Sequence, residues 1–163
     1  MVIEIIRTSI LACAMCLLAS TALANECLSR QERERLLALH QDAFDQDMQG
    51  GWRVLEQKPG CRETAANLIA EWRQRHQSTD TIVFWHEGQA RAGMEDREAA
   101  IALFKQSYQP AWPGTVAWNS YVDATIAFMA RDKPGLLRAR ENLLQVNPPA
   151  EYVVKDGRFE VEM

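Results

Sequence analysis

The chain has 163 residues, of which 47% are hydrophobic, 25% charged and 8% aromatic. That balance fits one globular domain and excludes a collagen-like chain, a mucin-like stalk and a disordered acidic tail. The formal net charge of −4 argues against a nucleic-acid partner.

Residues 1–24 read as a secretory signal peptide. Arg7 supplies the positive start, and no charge occurs from Thr8 to Ala24. The apolar run Ile10–Ala19 is short for a bilayer span. Ala22-Leu23-Ala24 places small residues where a signal peptidase reads, so cleavage is expected before Asn25. A retained anchor and a lipoprotein are the other two readings. The lipoprotein needs a modified cysteine, and too few apolar residues precede Ile10-Leu11-Ala12-Cys13.

Cys13 and Cys16 leave with the leader, while Cys27 and Cys61 remain in an oxidising compartment. One bridge is then expected. Closing a loop of about 35 residues stabilises by at most ~4 kcal/mol in chain-entropy terms. A redox or metal pair at this spacing lacks a second ligand pair. Losing Glu4 and Arg7 leaves the mature charge unchanged, and the remaining 139 residues suffice for one core. The expected location is the periplasm or the exterior, with no membrane association after cleavage.

The mature chain is patterned for helices nearly throughout. Ser29 and Glu32 make a capping box, followed by Leu36, Leu39, Ala43 and Phe44 at helical spacing up to the Gly50-Gly51 break. Trp52 to Lys58 predicts two turns, stopped by Pro59-Gly60. Cys61 to His76 carries an apolar stripe of Ala65, Leu68, Ile69 and Trp72. Thr79 or Asp80 caps the next segment, Ile82 to Ala92. Ile82-Val83-Phe84-Trp85 alone would suit a buried strand, but its continuation shows no alternation and favours helix. Asp96 caps a helix that buries Ala100, Leu103, Phe104 and Ser107. Gln109 to Gly114, with two prolines and a glycine, is a loop. Val116 to Ala130 forms a long helix with Trp118, Val122, Thr125 and Met129 on one side. Asp132 and Pro134 start the last helix, with a stripe of Leu136, Leu137, Leu143 and Leu144, and Pro148-Pro149 end it. The tail, Tyr152-Val153-Val154-Lys155, Asp156-Gly157, Arg158-Phe159-Glu160-Val161, predicts a β-hairpin with a type I′ turn. Such a hairpin is marginal alone and should lean on the body or on a partner. The division is thus 1–24 leader, 25–149 helical-hairpin domain and 150–163 hairpin tail.

Two stretches overlay at an offset of 36 residues: Trp85, Gly88, Asp96, Ala100 and Phe104 with Tyr121, Ala124, Asp132, Leu136 and Arg140. The closing prolines, Pro110 and Pro148, are 38 apart. The pattern resembles the tetratricopeptide repeat over about residues 81–149. Leu136 and Arg140 depart from it, where the family has an alanine and a large apolar residue. The phrases Trp85-His86-Glu87-Gly88-Gln89 and Trp118-Asn119-Ser120-Tyr121-Val122-Asp123-Ala124-Thr125 are also similar to a group of small exported proteobacterial proteins of unknown function. The repeat resemblance implies an all-α fold of stacked helical hairpins, about six helices, with a groove for a peptide or protein segment.

Chemical candidates are sparse. His86-Glu87 matches the start of a zinc-protease helix, but position 90 is alanine, where the second histidine should stand. The plain alternative pairs Glu87 with Arg91 at i+4 and leaves His86 on a surface or groove. Asn119 and Asp123 share a helix face. Asp123 then either satisfies a Trp85 or Trp118 indole or an arginine of the next helix, or joins His86, Gln89 and Asn119 as ligand contacts. Of the five tryptophans, Trp52, Trp72, Trp85 and Trp118 suit the core, and Trp112 suits an exposed binding contact. Arg30, Arg33 and Arg35 alternate with Glu32 and Glu34 as a solvated face. No nucleophile elbow, phosphate loop, dinucleotide fingerprint or four-ligand zinc spacing occurs, so no cofactor, metal or catalytic residue is expected. The reading is a binding module for a protein or peptide partner, an adaptor or an inhibitor of immunity type. The alternative is an envelope hydrolase using Asp123 and His86 as acid and base.

Overall fold

A computed structural model describes residues 27–110 and 115–146, together with the backbone of residues 152–155 and 158–161. The leader, the loop tip containing Trp112 and the Pro148-Pro149 stop lie outside the described residues.

Among the described residues there are seven α-helices and one π-helical turn. The α-helices are α1 (Arg30–Leu37), α2 (Arg53–Glu56), α3 (Arg62–Arg75), α4 (Thr81–Ala92), α5 (Arg97–Phe104), α6 (Val116–Met129) and α7 (Lys133–Leu144), and the π turn is Asp42–Gln46. From α2 onward each helix packs against its neighbour in the chain, and α1 lies on α3. Backbone segments Tyr152–Lys155 and Arg158–Val161 lie antiparallel. Their Asp156-Gly157 connection is outside the described residues, so the hairpin remains an expectation of the sequence. No helix among the described residues is long and apolar enough to cross a membrane.

Local signals set most helix starts. Ser29 accepts from the Glu32 amide, Asp80 from Ile82, Asp96 from Ala99 and Asp132 from Gly135. Each satisfies an amide that has no partner within its own helix. Three helices end in one way. The Ser78 amide donates to Arg73 O, that of Asp96 to Arg91 O and that of Asp132 to Ala127 O. The preceding residues Gln77, Glu95 and Arg131 hold φ of 50°, 64° and 58°. These are Schellman turns with side-chain-bearing residues where glycine is usual. Asp96 and Asp132 close one helix and cap the next, which makes the α4–α5 and α6–α7 turns tight.

The first helical segment is not continuous. The sequence pattern runs through to Gly50, but α1 stops at Leu37 and the chain re-forms as the π turn. Tertiary donors explain the stop. The His76 ring Nε2 donates to Leu37 O at 2.8 Å, and the Trp72 indole to Leu39 O at 2.8 Å. Carbonyls that would continue the helix thus serve α3 instead. Gly51 then turns back at φ +54°, where a Cβ would sit 1.8 Å from Phe44 O. The helices are also shorter than the sequence pattern suggests, from four to 14 residues.

Two apolar clusters result. The larger joins Leu36, Leu37, Phe44, Trp52, Leu55, Ile69 and Trp72 with Val83 of α4. Phe44 stacks on Trp72 with centroids 4.7 Å apart. The smaller contains Trp85, Ala100, Phe104 and Val122, with Trp118 and Met129 packed against it. Gly88 makes it possible, since a Cβ there would lie 2.7 Å from the Phe104 ring. Cys27 and Cys61 are joined in a disulfide that ties the start of α1 to the start of α3. The expected leucine stripe of α7 is not its buried face. Leu137 and Leu144 are exposed, Leu136 and Leu143 half-buried, and only Ala139 is buried. Small residues bring the two helices together, with Ala127 Cβ 3.2 Å from where a Cβ on Gly135 would lie.

Candidate functional site

Asp45, in the π turn, is fully buried and is the hub of a polar network. Its Oδ1 accepts from the Trp52 indole at 2.9 Å and from His86 Nδ1 at 2.7 Å. Its Oδ2 accepts from Gln46 Nε2 at 2.5 Å, and Arg53 donates to its backbone carbonyl. Burial alone pushes the carboxyl up. The hydrogen bond and charge of His86, the Trp52 indole and Arg53 outweigh it and hold Asp45 below its ordinary value. An ionised carboxylate only accepts, so His86 carries a proton on Nδ1 and donates it to Asp45. His86 is therefore not a surface residue: its side chain is 13% exposed.

Glu87, the neighbour of His86, is buried and takes both Nε and Nη2 of Arg73, at 3.1 and 3.0 Å. The i+4 pairing with Arg91 is not made, because Arg91 donates to Asn67 Oδ1 at 2.8 Å. The Arg73 guanidinium also lies 4.2 Å over the Phe84 ring. A buried carboxylate takes the partner that shares its burial, and Arg73 on α3 does so.

The second polar group joins α6 to the segment after α5. The Asn119 amide makes a two-point clamp on Gln109, accepting from its N–H and donating to its carbonyl, both at 2.9 Å. Asp123 Oδ1 accepts from the Tyr108 hydroxyl at 2.5 Å. Burial first, and then the hydrogen bond and charge of Asp123, push the Tyr108 phenol up to about 12. Asp123 satisfies neither indole expected of it: the Trp118 N–H donates to Ser107 O at 2.7 Å. Asp123 also lines a cleft of about 510 Å³ between α6 and α7, with Ile126, Asp132, Arg138, Glu141 and Asn142. A depression of about 590 Å³ over α5 is walled by α5 and its cap alone, an open flank.

Of the residues singled out in the sequence, Asn119 and Asp123 meet adjacent residues of one segment, and Gln89 is exposed on α4. His86 enters the separate Asp45 network. Trp112 lies outside the described residues. Asp45 was not legible beforehand. Its only signal was a carboxylate beside Phe44 at the end of an apolar pattern, and acids in that setting are usually solvated. Among the described residues, no group of three or more His, Cys, Asp and Glu side chains is placed to hold a metal. Comparison with protein-family models, curated proteins and solved structures finds no match.

Proposed function

We propose that the chain is an exported periplasmic binding module of tetratricopeptide-like hairpins that holds a basic, extended segment of a partner protein in the α6–α7 cleft. The observation that carries this reading is the cleft itself. Asp123, Asp132 and Glu141 line it against a single Arg138, over a floor of Ile126 and Ala127. Carboxylates on an apolar floor suit a lysine or arginine side chain with its aliphatic stem. The repeat reading draws support from the two matching turns, Glu95-Asp96 and Arg131-Asp132, and from the fit of Gly88 against Phe104. Export draws support from the leader-like residues 1–24 and the Cys27–Cys61 bridge. An adaptor and an immunity-type inhibitor both fit this description.

The test uses fluorescein-labelled dodecapeptides with a lysine or arginine scanned through an apolar background, and their glutamate counterparts. Anisotropy should rise with the basic set alone, weaken with added salt, and fall about tenfold in affinity for Asp123→Asn. Equal binding of the glutamate set, or indifference to Asp123→Asn, would overturn the proposal.

The second reading is an envelope hydrolase with His86 as general base. What favours it is the Nδ1 contact with buried Asp45, which orients the ring. Asp123, the acid in that reading, meets Tyr108 instead of His86. Loss of a measured turnover in His86→Gln with unchanged folding would promote this reading.

A further inference from the structure

One flank of α7 carries a stripe that the sequence assigns to the core. Leu136, Leu137, Leu143 and Leu144 recur at i, i+1, i+7 and i+8. Lys133, three residues before Leu136, and Arg140, four after it, fall on the same flank. The helix buries only Ala139, which leaves Leu137 and Leu144 54% and 61% exposed. Phe128 on α6 is 69% exposed and continues the stripe, sharing a depression of about 210 Å³ with Leu136, Arg131 and Lys133.

The unpaired charges of this flank are positive. Asp132 also borders the depression, but its carboxylate accepts from the Gly135 amide and lies 3.8 Å from Arg138. Glu141 lies on the other flank of α7, where it lines the acidic cleft with Arg138 and Asn142. Among the described residues, Arg131, Lys133 and Arg140 have no carboxylate partner, in a chain whose net charge is −4.

We propose that this flank docks on an anionic lipid surface. Its leucines, Phe128 and three cations project from one side of the α6–α7 hairpin instead of enclosing a groove, and a bilayer interface takes a projecting flank of that kind. The apolar side chains enter the acyl boundary, while the cationic groups reach along their aliphatic stems to the headgroup phosphates. Anionic lipid supplies the opposite charge that Arg131, Lys133 and Arg140 lack. Leu136 to Leu144 spans about 12 Å of helix, so α7 lies in the plane of the interface. Docking here departs from the sequence reading, in which these leucines belong to the core and no membrane association follows cleavage. The acidic cleft opens on the other flank of α7 and stays accessible, so peptide binding there stands or falls separately.

Co-sedimentation of the purified chain with vesicles tests it, using phosphatidylcholine alone and equal parts phosphatidylcholine and phosphatidylglycerol. The chain should bind the mixed vesicles about tenfold more tightly, and less so with added salt. The double variants Lys133→Glu/Arg140→Glu and Leu137→Gln/Leu144→Gln change exposed positions only. Each should weaken binding to the mixed vesicles about tenfold, with unchanged circular dichroism. Residues 1–24 are common to all three chains, so any binding by the leader cancels in the comparison. Equal binding to both kinds of vesicle, or equal binding by the three chains, overturns the docking. So does binding of a labelled glutamate–leucine peptide without vesicle binding, which would make an acidic protein segment the occupant. Self-association in size exclusion that Leu137→Gln/Leu144→Gln abolishes, again without vesicle binding, overturns it in favour of a second copy.

Discussion

The first three α-helices and the α6–α7 hairpin obey the same local rules and end up differently buried. α3 buries Ala65, Ala66, Leu68, Ile69 and Trp72, whereas α7, nearly as long, buries only Ala139. Around α3 the chain is held by a disulfide, by ring donors on the carbonyls of Leu37 and Leu39, and by the stacked Phe44, Trp72 and His76 rings. The α6–α7 hairpin relies on a capped Schellman turn and on close contact of small residues. One end of the molecule is therefore a scaffold. The other end displays apolar and charged side chains, with Phe128 on α6 69% exposed. Apolar area still in water is what burial against another surface would remove, and more of it lies at this end.

The contrast can be broken most forcefully at the bridge. Reducing Cys27–Cys61, or replacing both cysteines by alanine, is expected to cost up to ~4 kcal/mol in chain-entropy terms. Denaturant unfolding with and without reductant measures it. Exchange should rise first in α1 and the start of α3, leaving α6–α7 nearly as before. An unchanged midpoint would remove the bridge from the account of the scaffold.

Asp45 sharpens the comparison through pH. Its carboxyl is held below its ordinary value, so the folded state is favoured most when the group is ionised. That contribution is complete above the ordinary aspartate value of about 4 and is lost as pH falls through the lower folded value. Urea midpoints between pH 7 and pH 2 should drop in that window, and Asp45→Asn should flatten this part of the decline. At neutral pH the substitution is expected to cost about 1.5–3 kcal/mol, the worth of hydrogen bonds to a charged group. Equal acid sensitivity in both proteins would mean that another carboxylate governs it.

The smallest effect belongs to the hairpin turn. Arg131 holds φ of 58°, a conformation that glycine adopts without steric cost. Arg131→Gly should therefore stabilise by up to ~1 kcal/mol, after the larger unfolded-state entropy of glycine is subtracted. Thermal melts measure it. A loss of stability would show that the arginine side chain contributes more than its backbone strain costs.

Much of the secondary structure was legible, and for a local reason. Asp80, Asp96 and Asp132 announce helix starts because a cap acts on an amide two or three residues on. The stop after Leu37 was hidden because its cause lies on α3, at Trp72 and His76. The candidate site was half legible. Asn119 and Asp123 were visible as polar residues on one face of an apolar helix. Their partners, Gln109 and Tyr108, are fixed only once α6 docks against the segment after α5.

The amino-acid order by itself determined the helix periodicity and the capping residues, and it singles out the pairing of Cys27 with Cys61 once residues 1–24 are read as a leader. Tertiary structure alone decided that Asp45 is buried against His86, that Glu87 turns to Arg73 instead of Arg91, and that two leucines of α7 face outward. The reason is one of range. Caps and periodicity act within a turn or two of helix. The partner of a buried charge 41 residues away, as His86 is from Asp45, depends on which faces the packed helices bring together and close to water.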